Sequence, residues 1–241
     1  MKENKVLAAL VLGISLIIGL ATFGYLYQEA QLKASANDVL SVTGSAKMSV
    51  VSDQAKLIIN ISRIAPISSL AEGYEGIASD LRLAQNLLKQ KGVSNDKIII
   101  SPVSMYQMYD SYSGAEIRYQ LSQSITIQDN DVEKITAISK DIPSLAAQGA
   151  IISFQSLEYY YSNLAELRVS LLADAVKDAK ARAEKIASGT GRGIGNVQSA
   201  SSGVVQVLSS NSVDISDYGS YDTSNIDKDI MVTVKASFRL E

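Results

Sequence analysis

The amino-acid sequence predicts an α+β protein, with antiparallel or mixed sheets carrying long amphipathic helices packed on one face, and preceded by an N-terminal transmembrane helix. Three observations predict it. Apolar residues recur every three or four positions in two long stretches, they alternate strictly in several shorter ones, and 22 uncharged residues run from Val6 to Tyr27 near the N-terminus. Strand pairs followed by helices on one face give segregated α+β layers.

The apolar run comes first. At 1.5 Å per residue it can cross a hydrocarbon core of ~30 Å. Lys2 and Lys5 precede it while Glu29 and Lys33 roughly cancel after it, so the positive-inside bias keeps the N-terminus cytoplasmic and exports the rest. Tyr25 and Tyr27 stand where an interfacial aromatic belt would lie. The competing reading is a cleaved signal peptide, because Ala34-Ser35-Ala36 has the form of a cleavage site. Against it, the run exceeds the ~7–15 residues of a signal core and the motif lies well beyond its end. The expected organisation is therefore an anchor over 1–27, a polar linker over 28–37, and an extracytoplasmic domain, periplasmic or extracellular, over 38–241.

Within that domain, Leu40 to Val50 alternates as a half-buried strand, Val51-Ser52-Asp53 breaks it, and Ala55 to Ile61 alternates again, which predicts a hairpin closed by Pro66. Ser69 and Glu72 form a capping-box pattern before a helix whose stripe, Leu70, Tyr74, Ile77, Ala78, Leu81, Ala84 and Leu88, runs to Gly92. Ile98 to Tyr109, with Pro102 near its start, and Ile117 to Ile127 read as strands around a turn at Asp110 to Gly114. Asp131 to Ile142 suits a shorter helix and Ile151 to Leu157 a strand.

The longest stripe follows. Leu164, Leu167, Leu171, Leu172, Ala175, Val176, Ala179, Ala183, Ile186 and Ala187 share the spacing of one helix face, with charged residues between them. The stripe narrows from leucine to alanine, so a sheet must approach closely at its C-terminal half. Gly189 is the expected helix stop. Val197 and Val204 to Leu208 suggest weaker strands, Ser209 to Asp229 a polar surface loop, and Ile230 to Leu240 a last alternating strand.

Composition excludes several chemistries. The chain of 241 residues has no cysteine and no histidine, which removes histidine-based triads, zinc sites built on nitrogen or sulfur, and thiol chemistry. Beyond the apolar run, 20 basic face 24 acidic residues with no basic stripe, so no nucleic-acid partner is expected. The glycines from Gly189 to Gly195 follow a helix and lack the ending of a phosphate loop, so they read as a turn. Asp174 and Asp178 share a helix face among lysines and read as a solvated charged surface. No catalytic, cofactor-binding or metal-binding residue is expected.

The motif order resembles the SIMPL-domain family of bacterial envelope proteins, related to outer-membrane immunogenic proteins. The strongest match is Ala175 to Ala187, similar to that family's A-L-x-D-A-R-x-K-A-E-x-L-A helix, followed by Gly195-Asn196-Val197 like its G-x-V. Val42-Thr43-Gly44, Asp53-Gln54-Ala55, Leu88 to Val93, Tyr106 to Tyr109, and Gly149-Ala150 with Ile152 and Phe154 hold the same order, while Ser52 stands where the family often has proline. The resemblance implies a two-lobed α+β fold, self-association into large ring- or barrel-like oligomers, and no established catalytic residues. Tyrosines join apolar area to a hydroxyl and are enriched at interfaces, so Tyr106, Tyr109, Tyr112, Tyr159, Tyr160 and Tyr161 are the candidate contact residues, with packing at sheet ends as the alternative. The expectation is a non-enzymatic, membrane-anchored envelope protein acting as a homo-oligomer. The rivals are a module binding glycan or another ligand in a tyrosine-lined groove, and a glycan hydrolase with two acids ~5–10 Å apart.

Overall fold

The computed structural model describes residues 2–35, 38–108, 116–212, 216 and 218–241, with the side chains of the first helix described over residues 13–29. That helix, α1, spans Lys2–Ser35 and runs through most of the segment read as a linker. Strands β1 (Val39–Val51) and β2 (Gln54–Pro66) follow, then helix α2 (Leu70–Gln90), strands β3 (Ile98–Ile100), β4 (Ser104–Met108) and β5 (Arg118–Asp129), and helix α3 (Val132–Asp141). Strand β6 (Ile152–Tyr160), helix α4 (Leu164–Gly189), and strands β7 (Ile194–Ser202), β8 (Gln206–Ser209), β9 (Ser220–Tyr221) and β10 (Asp227–Leu240) complete the chain. The α+β class with two sheets is as expected.

One sheet has the order β1-β10-β8-β9, with β7 also on β10; the other has β3-β5-β2-β6, with β4 also on β5. The second sheet is antiparallel throughout and is built from a continuous β-α-β-β-α-β stretch, the split-βαβ arrangement. Its strand expected over Ile98 to Tyr109 is interrupted at Pro102, which has no amide to donate to the ladder, so β3 and β4 are separate pieces along β5.

The expected hairpin does not form, because β1 and β2 lie in different sheets. The corner between them bonds elsewhere. Ser52 donates both its amide and its hydroxyl to the Ile226 carbonyl, and the Asp53 amide donates to the Tyr160 carbonyl. Asp53 then accepts from the amide and hydroxyl of Ser162 ahead of α4. Both alternating strands were legible, but their partners are set by these bonds to distant residues.

The chain divides into two compact units. The larger comprises Gly44–Asp178 and Ser202–Val234. In it, α2 and α3 cover one face of the split-βαβ sheet, burying Ala55, Leu57, Ile59 and Ile61 of β2 against Ile77, Ala84, Leu88, Ile135 and Ile138. Tyr74, expected on the α2 stripe, is exposed; the buried positions are Gly73, Ile77, Asp80, Ala84 and Leu88. A Cβ on Gly73 would stand 2.6 Å from Ala65 Cβ and 2.9 Å from Leu121 Cδ1, so only glycine lets the helix lie this close to the sheet. Ser69 makes no capping bond through its side chain; α2 is entered from a 3-10 turn, Ile67–Ser69, instead. Asp131 does cap α3, accepting from the Lys134 amide at 3.0 Å.

Asp80 is 1% exposed and forms a two-pronged ion pair with Arg63 of β2, Nε to Oδ2 and Nη2 to Oδ1 each at 2.7 Å. The Ile151 amide adds a third donor at 3.3 Å. Asp80 holds the Arg63 guanidinium above its ordinary pKa, chiefly through these hydrogen bonds. In the same unit a second cluster joins Leu167 and Leu171 of α4 to Val207, Ile230 and Val232.

The smaller unit comprises Met1–Thr43, Ala179–Ser201 and Lys235–Glu241. Its core sets Ala179 and Ala183 of α4 against Val42, Ala236 and Phe238. The helix's fully packed positions are Leu167, Leu171, Ala175, Ala179, Ala183 and Ala187, a seam one residue wide, which leaves Val176 and Ile186 exposed although both fit the sequence stripe. Because Ala179 and Ala183 have no accessible surface, Ala183→Leu is expected to cost about 1–3 kcal/mol by overpacking, read as a lower melting temperature. The left-handed stop is Gly191 (φ 75°) rather than Gly189, with the Arg192 amide returning to the Ala187 carbonyl and that of Gly191 to Ser188. Arg192 then grips Asp38 through two bonds of 3.0 and 2.8 Å.

The expected membrane span is not established by the structure: among the described residues no helix is long and apolar enough to cross a membrane. The described side chains of α1 cover fewer residues than the ~20 of a span. They are exposed on every side, Leu16, Ile17 and Phe23 each by about two thirds.

Candidate functional site

The face of the split-βαβ sheet opposite α2 and α3 carries the other set of side chains, because successive residues of a strand point to opposite faces. Gln54 and Lys56 of β2, Gln128 of β5, and Glu158 and Tyr160 of β6 lie together at one end of it, since Lys56 pairs with both Gln128 and Glu158 and Gln54 with Tyr160 in the ladders. Tyr221 of β9 joins them, its ring 5.8 Å from that of Tyr160 with the planes tilted by 41°. With Tyr161 and Ser162 these residues, apart from Glu158, line a cleft of about 430 Å³.

The charges in the cleft satisfy one another. Tyr160 donates its hydroxyl proton to Glu158 Oε2 at 2.6 Å, and Lys56 Nζ donates to the same oxygen at 3.2 Å. Glu158 is consequently held below the ordinary range of its carboxyl, first by the Tyr160 bond, against the effect of burial, and then by Lys56. The same bond, with burial behind it, pushes the Tyr160 phenol up to about 12. A phenol of that pKa keeps its proton at neutral pH and acts as a hydrogen-bond donor, not as a base or nucleophile. The sign is testable. A spectrophotometric titration should show one tyrosine ionising near pH 12, and Glu158→Gln should return it toward 10.

Tyr221 is fixed from within the Ser209 to Asp229 stretch that the sequence presents as a polar surface loop. Lys228 at the start of β10 is fully buried; its ammonium donates to the carbonyls of Asp222 and of Asn225, the latter at 2.8 Å, and lies 5.9 Å from the centre of the Tyr221 ring. Asp222 caps the turn, accepting from the amides of Ser224 and Asn225. Burial pulls the Lys228 ammonium below its ordinary pKa, with Asp222 opposing. Tyr221 also accepts a hydrogen bond from the Tyr161 amide at 3.4 Å.

Of the six tyrosines singled out in sequence, the cleft contains Tyr160 and Tyr161. Tyr159 faces the other way: it is buried in the core and its hydroxyl pairs with Thr136 Oγ1 at 2.9 Å. Tyr106 is 66% exposed on β4. Tyr109 and Tyr112, with the turn at Asp110 to Gly114, lie outside the described residues. Sequence reasoning missed Gln54, Lys56, Gln128, Glu158, Tyr221 and Lys228. Among the described residues, no group of three or more acidic side chains is placed to hold a metal ion. Asp174 pairs with Lys177 at 2.9 Å and Asp178 accepts from the Ser45 amide at 2.8 Å, so the two serve separate contacts.

These features define a two-sheet α+β protein with a polar, tyrosine-lined cleft. The chain belongs to the SIMPL family, a family of proteins of unknown function, whose profile matches residues 40–238. No curated protein matches it in sequence. Among solved structures it is similar to the crystal structure of a hydrolase from Listeria innocua, at 7% identity over 81% of this chain and 91% of that one, with a TM-score of 0.24. A likeness of that score carries no argument about fold or activity.

Proposed function

We propose that this SIMPL-family protein is anchored in a bacterial cell membrane by α1, carries its domain on the extracytoplasmic side, and acts there by non-covalent association, including self-assembly, rather than by catalysis. The observation that carries the proposal is the surface of α1: apolar side chains exposed all round, with Tyr25 and Tyr27 near the end of the uncharged run. Exposing such a surface to water would cost about 25 cal/mol for each Å², and lipid removes that cost. The lysines before the run orient it with the N-terminus inside. The absence of histidine and cysteine from the sequence favours association over catalysis, and the exposed Tyr106 on edge strand β4 offers a contact residue for a second copy.

The full chain expressed in a bacterium is expected to stay in the membrane pellet through alkaline carbonate washing, with Met1 to Tyr27 still present by intact mass, and a chain of residues 38–241 to be released. Release of the full chain would overturn the anchor. A single-chain mass by light scattering of the detergent-extracted protein would overturn self-assembly. A second reading, a ligand-binding module, is favoured by the Tyr160 and Tyr221 cleft.

A further inference from the structure

We propose that the cleft lined by Tyr160, Tyr221, Gln54 and Gln128 binds a neutral glycan segment of about disaccharide size; this deepens the ligand-binding reading and rests on it. Its volume of about 430 Å³ falls in the ~300–1,000 Å³ range of small-ligand sites. The character of the ligand follows from what lines the cleft. The Tyr160 and Tyr221 rings pack against each other, and Tyr221 is 40% exposed, so this aromatic pair offers apolar surface to a ligand. The C–H face of a pyranose ring packs on such a surface, which a flat polar wall would not provide. Around the rings stand neutral hydrogen-bonding groups: the amides of Gln54 and Gln128, which share one bond of 3.4 Å and so keep further donors and acceptors for hydroxyls, and the phenol of Tyr221.

Charge decides against other ligand classes. Lys56, which would attract a phosphate or carboxylate, is paired with Glu158; Glu158, which would attract an amine, holds both Lys56 and the Tyr160 hydroxyl. Each charge is thus already compensated, so the cleft offers a charged ligand no free counter-charge, and a neutral polyol needs none. The platform is also pre-built. Lys228 and the turn at Asp222 hold the Tyr221 end, and the Tyr160 hydroxyl is fixed by Glu158, so little ordering remains to be done on binding.

The test uses the full chain, extracted in lauryldimethylamine oxide, whose head group carries no sugar, and titrated calorimetrically with N,N′-diacetylchitobiose, cellobiose and, as the charged competitor, inorganic phosphate. At least one disaccharide is expected to bind and phosphate not to. Tyr221→Ala should weaken disaccharide binding by about tenfold or more. Gln128→Ala, an exposed change that removes only an amide, should weaken it at an unchanged melting temperature, which keeps the test valid if Tyr221→Ala does not fold. Absence of disaccharide binding up to about 10 mM, preference for phosphate, or binding indifferent to both variants would overturn the site. Light scattering and membrane partition of the same samples separate the failures: loss of sugar binding with association intact removes this site alone, whereas a monomer released from membranes removes the association reading and leaves the site standing.

Discussion

Arg63→Met is expected to destabilise the protein by about 3 kcal/mol, a fall of roughly 6–12 °C in melting temperature for a domain of this size. The loss comes from Asp80. Its carboxylate is 1% exposed and, among the described residues, keeps only the 3.3 Å bond from the Ile151 amide once the guanidinium is gone. Removing one member of a buried pair is costly because the other stays desolvated without compensation, whereas replacing both by apolar residues of similar volume is close to neutral. Arg63→Met combined with Asp80→Leu should therefore recover most of the stability. A double variant as unstable as the single one would show that packing, and not the pair, sets the cost.

Lys228→Met, which keeps the buried volume, is expected to cost about 2 kcal/mol, since the carbonyls of Asp222 and Asn225 lose the donor that the buried ammonium supplies. Hydrogen exchange at the Ser224 and Asn225 amides should accelerate in the variant. The pH profile supplies an independent signature. Burial lowers the Lys228 pKa below 10.5, so between its folded value and 10.5 the unfolded chain holds a proton that the native one lacks, and this residue's contribution to stability rises with pH across that window. Tyr160 works in the opposite sense: its folded pKa is raised from 10.0 to about 12, so its contribution is full below 10 and is lost as pH climbs toward 12. Chemical denaturation at several alkaline pH values should show the rising limb in the wild type and its loss in Lys228→Met, with the Tyr160 fall present in both.

Much of the fold was legible because burial imposes a period. The alanines of α4 predicted a close sheet, and Ala179 and Ala183 have no accessible surface. The limit appeared at Val176 and Ile186, which fit the helical spacing but lie off a seam only one residue wide. Asp80 was readable in principle, as an acid on the apolar stripe of α2 that implies a buried cation; its partner Arg63 is on a strand and needs the tertiary structure. The tyrosine run shows how far one period carries. Alternation alone sends Tyr159 and Tyr160 to opposite faces, one into the core and one into the cleft. The cleft as a whole could not be assembled from sequence, because Gln54, Gln128, Tyr160 and Tyr221 come from four strands whose neighbours are set by ladder register. The hairpin failed for the same reason, since alternation tells which face is buried and says nothing about which strand lies alongside.

The separation of β1 and β2 into different sheets also orders the birth of the protein. The sheet built on β2 is complete once residue 160 has been made, and its contacts are comparatively local. Strand β1 is made before it yet waits for β10, the last strand; the Ser41 and Ser237 hydroxyls that meet across this pairing are 196 residues apart. During synthesis β1 is thus an unpaired edge, and the final stretch of the chain is what protects it from pairing with a neighbouring nascent copy.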